Sequence, residues 1–384
     1  MLATPQKIQI EDVREAGVAR TMMAATGCEE RLRVALVGPD PSVAGGMEAV
    51  LREMLSSPLA VDFRLDVIPT YRTPRRAMRA LVFLGALGRL AVWCRGPGRR
   101  VVHVHTAVKG SLYRKSLCVG VVKAMRRPVI LHLHAGSGDI DSFVQRIGPV
   151  RRSLFGMAMR AADGMLSVST EGARRLDAHF GVPNVIVVPN ASPPVHVERA
   201  APGTGGGPCR LLYLGGFSNH VKGGDTLVRA LPELLRSVPE VLVTLAGPGD
   251  APGELREIER EHEGVRWVGL LDERAKEEAL AKCDVFVLPS SSEGLPVALL
   301  EALAHGRAIV ATRVGGVPDV LTDDVDAILV PPDDPSGLTA ALSHLADNPA
   351  EQARLGRGAR KQAERLHTVD VYGTIARLYR ELGS

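Results

Sequence analysis

The chain carries one supersecondary pattern twice, and that repetition restricts the folds open to it more than any other feature. Arg33 to Gly38 is a short apolar run ending in glycine, followed by the loop Asp40 to Gly46 and the periodic segment Met47 to Leu55. The cycle restarts at Arg210 to Leu214, with the loop Gly215 to Gly224 and a helical pattern from Asp225 to Arg236. Strand, glycine turn and helix in that order build a parallel sheet with helices laid over its faces. Apolar runs at Val101 to Val104, Val129 to Leu133, Gly164 to Val168 and Val185 to Val188 extend the first series. Val241 to Ala246, Arg266 to Val268, Val285 to Leu288, Ala308 to Ala311 and Ala327 to Val330 extend the second, alternating with helical segments such as Arg274 to Lys282 and Pro296 to His305. The expected fold class is α/β, with two Rossmann-like domains facing across a cleft.

Length agrees, because 384 residues exceed what a single hydrophobic core usually supports. Between the two series, Ala191 to Pro208 reads ASPPVHVERAAPGTGGGP, without helical or strand periodicity, and is the expected linker. The expected order is an N-terminal extension over 1–30, a first Rossmann-like domain over 31–190, the linker 191–208, a second Rossmann-like domain over 209–365, and a helix over 366–384 returning to the first domain. The tail carries two apolar stripes, Leu355, Ala359, Ala363 and Leu366, then Tyr372, Ile375, Ala376 and Tyr379.

Composition removes several classes. Residues 1–30 lack a signal-type apolar core, and Ala80 to Cys94 is interrupted by Arg89 and is too short to span a bilayer. Five scattered cysteines, Cys28, Cys94, Cys118, Cys209 and Cys283, lack metal-ligand spacing and read as reduced thiols, so a cytoplasmic setting is expected. Net charge is +4, with the basic excess in the first half. The cluster Arg72, Arg75, Arg76 and Arg79 is suited to phosphates or anionic lipid, so peripheral contact with the inner membrane face is a reading of that segment. Aromatics make up 4% of the chain and no basic-aromatic stacking pattern occurs, which disfavours nucleic acid. Neither glycine loop completes a dinucleotide fingerprint, which disfavours a nicotinamide dehydrogenase.

The segment Pro289 to Val320 reads PSSSEGLPVALLEALAHGRAIVATRVGGVPDV and concentrates the candidate chemistry. Glu293 lies at a strand-to-helix junction and Glu301 eight residues later, about 2.2 helical turns. Carboxylates accept hydrogen bonds from sugar hydroxyls, and the N–H groups around Gly294, Leu295 and Pro296 open a helix where phosphate or sugar oxygen can be held. With Gly315, Gly316 and Pro318 behind it, this segment closely resembles the E-x7-E region of retaining glycosyltransferases of family four, which have the GT-B fold. The resemblance covers about residues 31–384. It implies that Glu293 lies near the donor sugar hydroxyls and that Glu301 holds the ribose of a UDP or GDP sugar.

The same resemblance places Gly45 and Gly46, approachable backbone at a helix start, over the donor diphosphate, and Lys222 as the cation that neutralises that diphosphate without metal. It makes His134 the better candidate for contacting the reacting sugar. His132 and His134 end the strand Val129 to Leu133, and only one of them is expected to face the ligand side, His132 being core or support. His103 and His105 have similar strand-end spacing and are read as lining the acceptor side; His-x-His without a third clustered ligand does not establish zinc. One position departs from the family pattern: an arginine usually follows the glycine near the start of the Lys222 loop, and here Phe217 follows Gly216. Ser218, Asn219, His220 or a first-domain arginine would then have to supply the missing contact. The implied reaction is transfer to a small-molecule or lipid-linked hydroxyl acceptor by a front-face route in which the leaving phosphate assists acceptor deprotonation. It needs no cofactor and no metal. A GT-B-type nucleotide-sugar epimerase and a noncatalytic sugar-nucleotide-binding partner are the alternatives.

Overall fold

The structure is a computed structural model that describes residues 31–43, 45–72, 76–195 and 207–384. The expected extension over 1–30 with Cys28, Arg75, the Arg76 side chain and most of the linker 191–208 lie outside the described residues.

Two six-stranded parallel sheets form. The first contains β1 (Arg33–Gly38), β2 (Arg64–Pro69), β3 (Arg100–Thr106), β4 (Val129–Leu133), β5 (Gly164–Ser167) and β6 (Ile186–Val187), in the order β2-β1-β3-β4-β5-β6. The second contains β7 (Arg210–Tyr213), β8 (Leu242–Leu245), β9 (Val265–Trp267), β10 (Val285–Leu288), β11 (Ala308–Thr312) and β12 (Ile328–Val330), in the order β12-β11-β10-β7-β8-β9. Helices cover both faces, so central strands such as β3, β4, β10 and β11 are buried along their whole length. β2 is absent from the sequence reading. It is an edge strand whose Asp66 faces outward to accept from Arg33 at 2.7 Å and from Trp93 Nε1 at 2.9 Å, which interrupts its apolar run.

Strand order reverses between β1 and β3 in the first sheet and between β7 and β10 in the second. At such a reversal the two connections leave the sheet in opposite directions and open a crevice beyond the carboxyl ends of the strands. The loop after β1 carries Gly45, the loop after β7 carries Lys222, and the loop after β10 carries Glu293. Topology alone therefore delivers three of the expected groups to crevice mouths.

The tail forms two helices broken at residues 368–370. Pro349–His367 packs in the second half through Ala359 and Ala363, beside Leu303 and Ile309. Val371–Gly383 crosses to the first sheet, where Val371, Ile375, Ala376 and Tyr379 join Val34, Leu36 and Val101 in one core. Asp370 caps this helix by accepting from Gly373 N at 2.7 Å, and the Phe63 and Tyr379 rings meet edge-on at 5.2 Å. The two Rossmann-like domains and the returning C-terminal helix agree with the sequence expectation.

Cys94, Cys118, Cys209 and Cys283 are buried free thiols, and burial pushes Cys94 up to about 11 and Cys283 to about 12. They pack as small apolar groups.

Tyr379 is wholly buried in the first domain's core although it lies five residues from the chain end. Replacing it by alanine should destabilise the first domain by about 3–5 kcal/mol through lost transfer energy and the cavity left behind. Trp93 and Trp267, the chain's two tryptophans, lie one in each domain and report unfolding separately in single-tryptophan backgrounds. The Trp93 transition should fall the more; an unchanged Trp93 midpoint would contradict this packing.

Candidate functional site

At the second reversal, Lys222 Nζ donates to both carboxylate oxygens of Glu293, at 2.9 and 3.0 Å, and Ser290 Oγ donates to Oε1 at 2.7 Å. The Glu293 side chain is only 6% exposed, so an unpaired carboxylate there would be heavily penalised; the ammonium and hydroxyl compensate it. Gly223 makes the approach possible. It adopts φ 74, and a Cβ there would land on the carbonyl of Pro289.

Glu301 lies inside the helix Val297–Ala304 and answers to a different cation. Lys276 Nζ donates to it at 2.7 Å and pairs with Glu273 at 2.8 Å, while Arg52 from the helix Gly46–Ser56 bonds Glu273 at 2.9 Å. Burial raises the Glu301 carboxyl above the usual range, with Lys276 opposing that shift. Gly45 and Gly46 open the helix that carries Arg52, and Gly46 faces open space. The Glu48 carboxylate folds back over Gly45, and burial raises its pKa. The helix that Gly45 and Gly46 open is thus tied to Glu301 by the relay Arg52, Glu273, Lys276.

His134 follows β4 on the opposite wall. Its Nε2 meets His105 Nδ1 at 3.0 Å, and burial lowers its pKa to about 4, so at neutral pH the ring is uncharged. Asn190 links the walls, its Nδ2 donating to the Leu295 carbonyl at 2.6 Å. Asp139 N donates to Ser292 Oγ at 2.9 Å, and Gly316 N to the Gly294 carbonyl at 2.7 Å, holding the turn Ser291 to Pro296 from both sides. A Cβ at Gly136 would land on Ser292 and the Glu293 backbone, so the first domain's loop approaches backbone to backbone.

The expectation that only one of His132 and His134 faces the ligand side is corrected. Residues two apart on a strand share a face, and the two rings lie 4.2 Å apart on the same side of β4. Lys276, Arg52, Glu273, Ser290 and Asn190 were missed in the sequence reading; Lys276, Asn190 and Arg52 meet partners 25, 105 and 221 residues away, beyond any local pattern, whereas Ser290 meets Glu293 three residues on. Phe217 lies against Trp267, with ring centroids 5.0 Å apart, and beside Gly224, and the N–H groups of Phe217 and Ser218 both donate to the Pro248 carbonyl. The position supplies packing. His220 turns outward to Asp225 at 2.7 Å.

Two families of glycosyltransferases match the chain in separate segments: "Glycosyltransferase Family 4" over residues 25–193 and "Glycosyl transferases group 1" over residues 208–348. A phosphatidyl-myo-inositol mannosyltransferase of Mycolicibacterium smegmatis is 36% identical over 174 residues, 44% of this chain and 44% of that protein. The chain spans about half the length of the curated relatives it matches. Sucrose-phosphate synthase from Thermosynechococcus elongatus superposes with a TM-score of 0.73 at 18% identity, covering 92% of this chain and 99% of that one. Anabaena HepE in complex with UDP-glucose superposes with a TM-score of 0.66 at 15% identity, covering 91% and 100%. The chain has the GT-B fold and is related to glycosyltransferases of that type.

Proposed function

We propose that this chain is a retaining glycosyltransferase that moves a sugar from a nucleoside-diphosphate sugar to a hydroxyl acceptor in the cleft. The observation that carries the reading is the Lys222–Glu293 pair at the strand-order reversal of the second sheet, facing the His134 loop of the first. Lys222 has three N–H donors and keeps one for a phosphate oxygen while it holds Glu293. As the bond from sugar to phosphate loosens, negative charge grows on the diphosphate. Lys222 and the N–H groups opening at Gly45 and Gly46 stabilise it there without metal. Glu293, with Gly294, Leu295 and Pro296 shaping its turn, receives the sugar hydroxyls, and Glu301 receives the ribose. The leaving phosphate takes the acceptor proton, so no protein nucleophile is required, and His134 orients the sugar as a neutral hydrogen-bonding ring. The UDP-glucose bound by HepE supports the donor class, and the mannosyltransferase of Mycolicibacterium smegmatis supports sugar transfer.

Product analysis tests the reaction itself. Incubation with a panel of UDP and GDP sugars and candidate acceptors in EDTA should give a glycosylated acceptor by mass spectrometry, with the donor's anomeric configuration by NMR. A rearranged nucleotide sugar without transfer would indicate an epimerase, and inverted product or strict dependence on an added divalent ion would overturn the mechanism.

Glu301→Gln should mainly weaken donor binding, because ribose recognition is present before and during reaction, whereas Glu293→Gln should mainly slow the transfer step. Each lost charge-assisted hydrogen bond corresponds to about 1.5–3 kcal/mol, or one to two powers of ten. Donor titration and single-turnover rates on folded variants separate the roles; wild-type behaviour of both variants would remove the assignment.

An acceptor at a membrane surface has a specific observation in its favour. Leu81, Leu84 and Val92 on the helix Arg76–Arg95 are 69, 62 and 69% exposed, and Leu154 and Met157 on the helix Pro149–Arg160 are 54 and 51% exposed. Arg72, Arg151 and Arg152 are exposed nearby in the chain. Among the described residues, no helix is long and apolar enough to cross a membrane. Sedimentation with anionic vesicles should exceed that with neutral ones and fall with salt; equal absence of binding to both would remove the contact.

A further inference from the structure

The donor site uses one histidine of four that the first sheet gathers. His103 and His105 lie on β3, and His132 and His134 lie on β4 or directly after it. The parallel register sets His105 beside His132, and the two-residue period turns all four rings to one face. His103 and His105 are fully buried and His132 is 3% exposed. One ring nitrogen from each of these three lies within 4.8 Å of the other two.

Their hydrogen bonding is incomplete in a regular way. His103 Nδ1 meets the Tyr379 hydroxyl at 2.6 Å and His105 Nδ1 meets His134 Nε2 at 3.0 Å. The opposite nitrogen of each, Nε2, has no hydrogen-bond partner, and neither has either ring nitrogen of His132. Buried polar atoms are nearly always satisfied, and four unpartnered imidazole nitrogens on three clustered rings need a reason. A ligating histidine characteristically bonds through its second nitrogen to a partner that orients the ring, which Tyr379 and His134 do here.

We infer that His103 Nε2, His105 Nε2 and a ring nitrogen of His132 bind a divalent transition-metal ion of the zinc class inside the first domain. Neutral imidazoles alone suit zinc, nickel, cobalt or copper and not magnesium or calcium, which require oxygen ligands. A tetrahedral zinc with bonds of about 2.0–2.1 Å needs ligand nitrogens roughly 3.3 Å apart, a spacing inside the 4.8 Å that bounds their separations here. Water at the fourth position would ionise near pH 7 and offset part of the ion's charge.

The ion is a positioning element, remote from the transferred phosphate. Metal on His105 Nε2 leaves the proton on Nδ1, which then donates to His134 Nε2. His134 is thereby fixed with its proton on Nδ1. Through Tyr379 the same ion ties the C-terminal helix to β3.

Metal content decides the matter independently of any transfer assay. The full chain, prepared without an affinity tag, should hold about one equivalent of zinc-class metal by plasma mass spectrometry. After unfolding with chelator and refolding with Co(II), it should show the visible absorption of a four-coordinate cobalt site, saturating near one equivalent. His105→Phe and His132→Phe conserve ring packing and should each retain roughly a tenth or less of that metal. Should these variants fail to fold, the wild-type stoichiometry and cobalt spectrum still decide. Wild type without transition metal both as purified and after refolding with zinc or cobalt would overturn the inference, as would full metal retention by both folded variants. Brief EDTA treatment of the folded chain does not reach ligands this deeply buried, so the chelation result for transfer and the result here are separable.

Discussion

In a parallel sheet every strand leaves at its carboxyl end toward the same side, and the chain gains an open crevice only where strand order reverses. That constraint organises this molecule twice. β7 and β10 are neighbours in the sheet but are separated by two strands in sequence, so the loops after them diverge and then face each other with Lys222 on one and Glu293 on the other. The reversal between β1 and β3 aims the Gly45 loop and the segment before Lys109 at the same side of the first sheet. Once two such crevices meet mouth to mouth, charge can be concentrated between them without being lodged in either core. Glu293 is buried, yet it lies at a loop where an ammonium from the neighbouring strand can reach it.

What the sequence made legible follows from this geometry. Strands buried on both faces must be written as short, nearly pure apolar runs, and β1, β4 and β10 were read to the residue on that signal. β2 escaped because an edge strand tolerates Arg64 and Asp66 in its run. The Glu293 and Glu301 segment was legible as a motif, but its partners were not. Glu293 meets Lys222 from 71 residues away and Glu301 meets Lys276 from 25, and local spacing does not encode which cation reaches which carboxylate. The histidines illustrate the same limit. His103 with His105, and His132 with His134, are each visible as pairs, whereas the three-nitrogen cluster exists only because the β3 and β4 register sets His105 beside His132. Register between strands some twenty residues apart is fixed by packing of the whole sheet.

Phe217 shows how a departure from a family pattern is absorbed locally. A guanidinium there would need anionic or carbonyl partners, but the adjoining N–H groups are already committed to Pro248 and the ring lies against Trp267 and Gly224. Substitution by an aromatic ring converts a polar contact into core packing and leaves Lys222 as the cation bonded to Glu293. On the proposed reading, the charge for the diphosphate then comes from Lys222 and from backbone N–H groups, which are fixed by the fold and need no reorganisation as the bond breaks.

The contact between the walls is built differently from the cores behind them. Each sheet is sealed by aliphatic packing; across the cleft, Val168 packs into the second domain's apolar cluster and Val297 against the first's, and four polar links join them: Asp139 N to Ser292, Asn190 to the Leu295 carbonyl, Thr170 N to Asp319 at 2.7 Å, and Arg52 to Glu273. A hydrogen bond exchanged for water contributes only about 0.5–1.5 kcal/mol net, and an exposed ion pair such as Arg52–Glu273 contributes less. A handful of such links can hold the two loops together and still release them, whereas parting an apolar core would expose surface that water does not compensate. The C-terminal helix adds the opposite element, because Tyr379 and Ile375 bind it firmly to the first domain while the preceding helix stays with the second. The break at residues 368–370 and the linker are then the two backbone crossings between the halves.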